Sequence, residues 1–248
     1  LEQVESLEVG VRTGQAPLAF TTAEGWLAGT YVDYLTLIAA RLRVGLEVES
    51  IPERGDRPEW SEGDPAIRVM AWRRGAPVPE GWLRSQPLME LTYGIFADPG
   101  DAGIRKLADL ERRRVALVGR DANQFALLDS VNSFTPVPVT SVSEAVSMVL
   151  SGQADAFVGP VPVVVDYLQS ALINGVALVA LLDQEPVEVA LEVRQQQDAL
   201  LPILDKAIET ISHTDHRRIR TAWLPDAVVE EGTTDGLTLS AIEQEWLR

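Results

Sequence analysis

Hydrophobic and polar positions alternate from the first residues of the chain. Val9 and Val11 alternate with Glu8, Gly10 and Arg12, a half-buried strand pattern. Gly25 and Gly29 then bracket a tight turn. Tyr34, Leu35, Ile38, Ala39 and Leu42 recur at helical spacing, so one face of a helix is apolar there. Leu46 and Val48 resume period two. The stretch therefore reads strand, loop, turn, amphipathic helix, strand.

The rest of the chain extends this pattern. A polar, Pro- and Gly-rich run from Ile51 to Pro65 reads as loop, with no multi-turn helix expected between Gly55 and Pro65. Strands are expected at Ala66–Trp72, Leu91–Ala97, Arg112–Gly119, Ala154–Pro160 and Ala177–Leu182, and the run TPVPVTS reads as a further strand entering a loop. Helices are expected at Ala122–Val131, Ser143–Leu150, Val163–Ser170 and Asp198–Ile211. Gly152 stands where a C-terminal helix stop belongs, and Asp198 where an N-cap belongs. Arg217–Trp223 is expected to close the domain. Val187–Arg194 alternates cleanly. A succession of strands and crossover helices implies an α/β fold with a mainly parallel sheet.

Composition narrows the function classes. The 248 residues carry 21 Lys and Arg against 37 Asp and Glu, a net charge of −16. That balance repels nucleic acid and anionic membrane surfaces. There is no cysteine, which excludes disulfides and thiolate metal sites. No apolar run approaches the roughly 18 residues that span a bilayer. The chain opens on Leu1 with no signal-peptide pattern, so a segment trimmed from a longer polypeptide is expected.

The order of the opening elements resembles family 3 extracellular solute-binding proteins. Their pattern is a Val-Gly-Val strand, a Pro-containing loop, Phe, a Gly-x-x-x-Gly turn and an Asp-containing helix. Pro17, Phe20, Gly25, Gly29 and Asp33 stand at those places. The resemblance runs to about residue 224 and includes Ser143–Pro160, which is similar to the family's helix, Gly, Asp-Ala strand. It implies a two-lobed type II periplasmic-binding (Venus-flytrap) fold that acts as a ligand clamp and not as an enzyme. Lobe 1 would hold residues 1–91 and 190–225, lobe 2 residues 92–189, and 226–248 would be a linker toward a further domain. The hinge is expected at Thr92–Tyr93 and Val189–Ala190.

The resemblance also tests the binding chemistry. Amino-acid-binding members grip the ligand carboxylate with an Arg, whose planar fork makes paired charge-assisted bonds. Val78 stands at that position, and Pro160 stands where an Asp grips the amino group. Two first-loop aromatics are replaced by Ala16 and Leu18. Candidate cleft residues are therefore Phe20, Trp72, Arg73, Arg74, Arg120 and Asn123, the last two for an anion at a helix N-terminus. Solvated loop charge is the alternative for the arginines, core packing for Trp72, and ordinary capping for Arg120 and Asn123. His213 and His216 flank Asp215 without a further ligand and read as surface polarity. No cofactor or metal is expected.

The segment Leu239–Leu247 resembles the signature preceding Venus-flytrap domains in BvgS- and EvgS-type sensor kinases, with Ser240 and Glu243 in a capping box. That resemblance implies a periplasmic sensory domain of a transmembrane histidine kinase, in a two-component system, with a second flytrap domain C-terminal to it. Trp246 and Leu247 would pack at the junction. Partners implied are a small-molecule ligand or none, and a homodimer of the full receptor. The alternatives are a soluble receptor of an ABC importer and a dehydratase-type enzyme on the same fold.

Overall fold

The computed structural model describes residues 5–51, 60, 63–118, 128, 131, 133–182 and 187–223. The loop expected at Gly55–Pro65, the helix expected at Ala122–Val131 and the tail after Trp223 lie wholly or almost wholly outside them.

The opening elements form as the pattern requires. β1 (Ser6–Val11) is followed by a hairpin of β2 (Phe20–Thr21) and β3 (Leu27–Ala28), then α1 (Thr30–Leu42) and β4 (Gly45–Ser50). α1 buries Tyr31, Tyr34, Leu35, Ile38 and Ala39 and ends at Arg43 in the left-handed conformation. Gly29 begins it with φ 120° and ψ 177°, a region essentially reserved for glycine. That backbone lets Pro17 O and Leu18 O accept from Thr30 N and Tyr31 N at 3.0 and 2.9 Å. The first-loop carbonyls therefore cap the helix, whose start has no side-chain cap.

Next come β5 (Ile67–Arg73), β6 (Trp82–Leu91), β7 (Tyr93–Ala97), β8 (Arg114–Val118), β9 (Thr135–Val139), α2 (Val142–Leu150), β10 (Ala156–Pro160), α3 (Val161–Ser170), β11 (Ala177–Leu181) and β12 (Val187–Arg194). α4 (Leu201–Glu209) and α5 (His213–Trp223) follow. Gly152 closes α2 with φ 67°. Asp198 does not cap α4. It lies in a 3-10 segment, Gln195–Leu200, which is kinked at Gln197. The α-helix proper starts where Pro202 occupies its first turn, since proline lacks the N–H that would be orphaned there.

Two five-stranded sheets result, in the orders β4-β1-β5-β12-β6 and β11-β7-β10-β8-β9. Neither is uniformly parallel. β12 is antiparallel to β5 and β6, and β7 is antiparallel to β10 and β11. The reason is connectivity. Strands made by βα units run toward the connection between lobes, whereas β7 and β12 each start there and run away from it.

α1 and α4 cover one face of the first sheet, where Val9, Val11, Ile67, Val69, Leu191 and Val193 are buried. α2 and α3 pack on the second sheet around Phe96, Phe157, Val146 and Val164. One apolar cluster continues from Leu91 and Val187 through Tyr93 into Ile95 and Val158, joining the lobes at their connection.

Candidate functional site

The outward crossing is a single residue, Thr92, between β6 and β7. Its carbonyl accepts from Val161 N at 2.9 Å, so the crossing is tied to the start of α3. Tyr93 is buried, and its carbonyl accepts from Leu182 N at 2.9 Å, binding the outward and return chains together. The strand expected as one piece over Leu91–Ala97 is thus split at Thr92 between two sheets. The return hinge is expected at Val189–Ala190. Both residues lie inside β12, paired to Ala71 and Met70 on one side and to Met89 and Pro87 on the other. Both are therefore built into the lobe 1 sheet, with the β12–β6 register irregular at Ala190. The chain changes sheets between Leu182 and Val187, so lobe 1 resumes at Val187 and not at 190.

Four of the six candidate cleft residues lie among the described residues. Phe20, half-buried on β2, meets the Trp223 ring edge-on at 5.7 Å. Leu18 is buried in the core, so a first-loop position expected at the cleft serves packing instead. Trp72 lies under the Arg84 guanidinium, 5.1 Å from its ring centre. Its indole Nε1 is buried without a hydrogen-bond partner. Arg73 is exposed at the end of β5. Arg74 bonds Glu188 at 2.6 Å and also Glu90. Those carboxylates hold its guanidinium above its ordinary value. Arg74 is thus already neutralised from within its own lobe. Arg120 and Asn123 lie outside the described residues. Val78 is exposed, and Pro160 ends β10 opposite Tyr93. Neither offers charge to a ligand.

A charged cluster absent from the sequence reading lies in lobe 1. Glu192, in the middle of β12, is fully buried, contrary to the half-exposed alternation expected for that strand. Its direct cross-strand partners are Arg68 on β5 and Arg84 on β6. Arg68 donates Nε and Nη2 to Oε2 at 3.0 and 2.7 Å. Arg84 donates Nε and Nη2 to Oε1 at 3.1 and 3.0 Å, and Nη1 to Ala76 O at 2.9 Å. Arg68 also stacks on Trp82, 3.6 Å from the ring centre, with Trp60 edge-on to Trp82. Burial holds the Arg68 guanidinium below its ordinary value. Glu192 opposes that shift, and Arg12 and Arg194 add to it. The sequence carries Glu188, Glu192 and Arg194 in this strand, and nothing local marks Glu192 as the buried one.

α5, which carries the chain toward its tail, is fastened to α1 at both ends. Trp223 Nε1 donates to Asp33 Oδ2 at 2.7 Å, giving a role to the family-pattern aspartate. At the other end His216 Nδ1 lies 2.8 Å from Tyr34 Oη. His216 is therefore not the surface polar residue the sequence implied. Burial, then Arg220 and His213, hold its imidazole below the ordinary value, with Asp215 opposing. Burial pushes the Tyr34 hydroxyl up to about 12, with Arg220 opposing. Tyr34 thus stays protonated; a neutral ring with its proton on Nε2 accepts from it at Nδ1, whereas Nδ1 of a protonated ring is a donor and reverses the bond.

The sign of the pH effect follows. The folded state binds the His216 proton more weakly than the unfolded chain does. Stability is then unaffected by this group well above pH 6.5 and is lost as pH falls below it. Thermal melts at pH 7.5 and 5.5 are expected to show a smaller acid loss for His216→Gln than for the unaltered domain. Equal losses would mean that the ring does not titrate against Tyr34.

No family model matches the chain. A segment of 114 residues, 46% of the chain, is 32% identical to the virulence sensor protein BvgS of Bordetella pertussis, and spans 9% of that protein's length. Among solved structures, the periplasmic VFT2 domain of B. pertussis BvgS superposes with TM-score 0.75 at 23% identity, covering 89% of this chain and 94% of that one. An ancestral arginine-binding protein bound to arginine gives 0.69 at 25% identity, covering 89% and 99%. The BvgS periplasmic domain gives 0.73 at 22% identity, covering 98% of this chain and 47% of that one.

The two sheets, their paired crossings and these superpositions define the class. The chain is a two-lobed Venus-flytrap domain of the periplasmic-binding-protein type. Within that class its fold matches the VFT2 domain of BvgS.

Proposed function

We propose that this domain is the periplasmic sensory unit of a transmembrane sensor histidine kinase, and that it signals by opening and closing its lobes. The observation that carries the reading is the 32% identity to BvgS over 114 residues, on a chain with the two-lobed fold. The resemblance of the tail to the signature preceding a flytrap domain supports a second such domain C-terminal to this one, with Trp246 and Leu247 at the junction. Thr92–Tyr93 and the passage between Leu182 and Val187 are the hinge in this reading. A ligand shifts the open–closed equilibrium only by its differential affinity for the two states.

The ligand, where there is one, is not a free α-amino acid. Val78 and Pro160 replace both charged grips, and Arg74 is engaged by Glu188 and Glu90. Calorimetry of the domain against the standard L-amino acids is expected to show no micromolar binding. Micromolar affinity for any one of them would support a soluble importer receptor instead. The gene product separates the classes directly, since the sensor reading requires a membrane helix and a kinase core downstream.

A further inference from the structure

Five tryptophans lie among the described residues. Trp60, Trp72, Trp82 and Trp223 are half-buried, whereas Trp26 is 73% exposed. It sits at the tip of the β2–β3 hairpin, and the hairpin is closely held. Thr22 N donates to Trp26 O at 2.8 Å, Gly25 N to Thr22 O at 3.0 Å, and Trp26 N to Thr22 Oγ1 at 3.3 Å. At its base the same hairpin carries Phe20, which packs edge-on against Trp223. Trp223 is in turn held by Asp33 and is the last residue of α5. The exposed indole is therefore mounted on the corner of lobe 1 from which the chain continues.

We propose that Trp26 is a docking residue for the folded unit that follows this domain in the same polypeptide. The inference rests on the tandem-sensor reading and names a contact within it. Tryptophan is enriched among residues that dominate interface energies. A rigid support lowers the ordering entropy that docking costs. Twenty-five residues follow Trp223 in the sequence. A unit tethered through them sees this corner at a high effective concentration, so docking there needs a smaller interface than two free proteins would. Docking there places the next unit against a hairpin braced by α5, so movement of that hairpin and of the chain exit reach it together.

The test is photo-cross-linking in the full-length receptor, with Trp26→p-benzoylphenylalanine and, as a control on the other lobe, the same replacement at Leu172, which is 85% exposed. The expected result is an intramolecular adduct from position 26 to residues beyond 248, well above the yield from position 172. An adduct confined to residues 1–248, an adduct to a second copy, or a yield equal to the control overturns the proposal. In parallel, Trp26→Ser in the isolated domain is expected to shift the melting temperature by less than about 2 °C. A larger fall would make Trp26 a packing residue of its own domain and overturn the proposal. A full-length sequence with no folded unit after residue 248 defeats the tandem reading itself, which is a different outcome from a tandem receptor without the adduct.

Discussion

Replacing Glu192 with Ala is expected to lower the melting temperature of the domain by roughly 6–20 °C, from a loss of about 3–5 kcal/mol. The side chain is fully buried, and removing it leaves two guanidinium groups facing each other across β12. Arg68 is almost as buried, and stacking on Trp82 prevents it from swinging out to water. Desolvation of an unpaired charge decides the magnitude, not the loss of four hydrogen bonds as such. Glu192→Gln keeps the shape and one acceptor oxygen and should cost less. Glu90→Ala, which removes a partner of the half-exposed Arg74, should cost about 0–1 kcal/mol, because solvent screens that pair. Melts followed by circular dichroism would rank the three variants. Should Glu192→Ala melt within about 2 °C of the unaltered domain, a change near 0.5–1 kcal/mol, the cluster does not hold lobe 1 together.

The second large effect is expected at Gly29. A Cβ added there meets Leu18 O at 2.5 Å and Pro17 O at 2.7 Å. Both are backbone atoms, and both cap α1, so relieving the clash breaks the bonds to Thr30 N and Tyr31 N. Backbone strain at φ 120° adds to the overlap. Gly29→Ala is expected to cost about 4 kcal/mol, or roughly 8–16 °C in melting temperature. Gly25 is the informative control. Its φ is also positive, at 88°, yet an added Cβ meets nothing within 4 Å. Gly25→Ala should therefore cost only the left-handed backbone penalty of about 1–2 kcal/mol. Equal losses at the two positions would show that strain alone, and not the approach of the first loop to α1, sets the requirement for glycine.

These two sites mark the boundary of what was legible in the sequence. The apolar face of α1, the Gly152 stop of α2 and the span Val187–Arg194 were readable because each depends on residues a few positions apart, whereas strand β3 and not a turn lies between Gly25 and Gly29. Period and turn chemistry act at that range, and the resemblance to a known family arranged the pieces into two lobes. The cleft candidates have partners that local pattern does not give. Phe20 and Trp72 pack against Trp223 and Arg84, and Arg74 is taken up by two glutamates, none of which are neighbours in sequence.

The remaining features have one physical cause: partners far apart along the chain. Glu192 is paired with arginines 124 and 108 residues away, so a strand that alternates like a half-exposed one is buried on both faces. His216 lies against Tyr34 across 182 residues, and Trp223 reaches Asp33 across 190. Strand direction belongs to the same group. The antiparallel placing of β7 and β12 follows from where the chain crosses between lobes, which no local pattern encodes. Local pattern encodes most of the elements and, with the family resemblance, the class of fold. Packing determined which charges are buried, which aromatic residues are occupied, and where the chain passes from one lobe to the other.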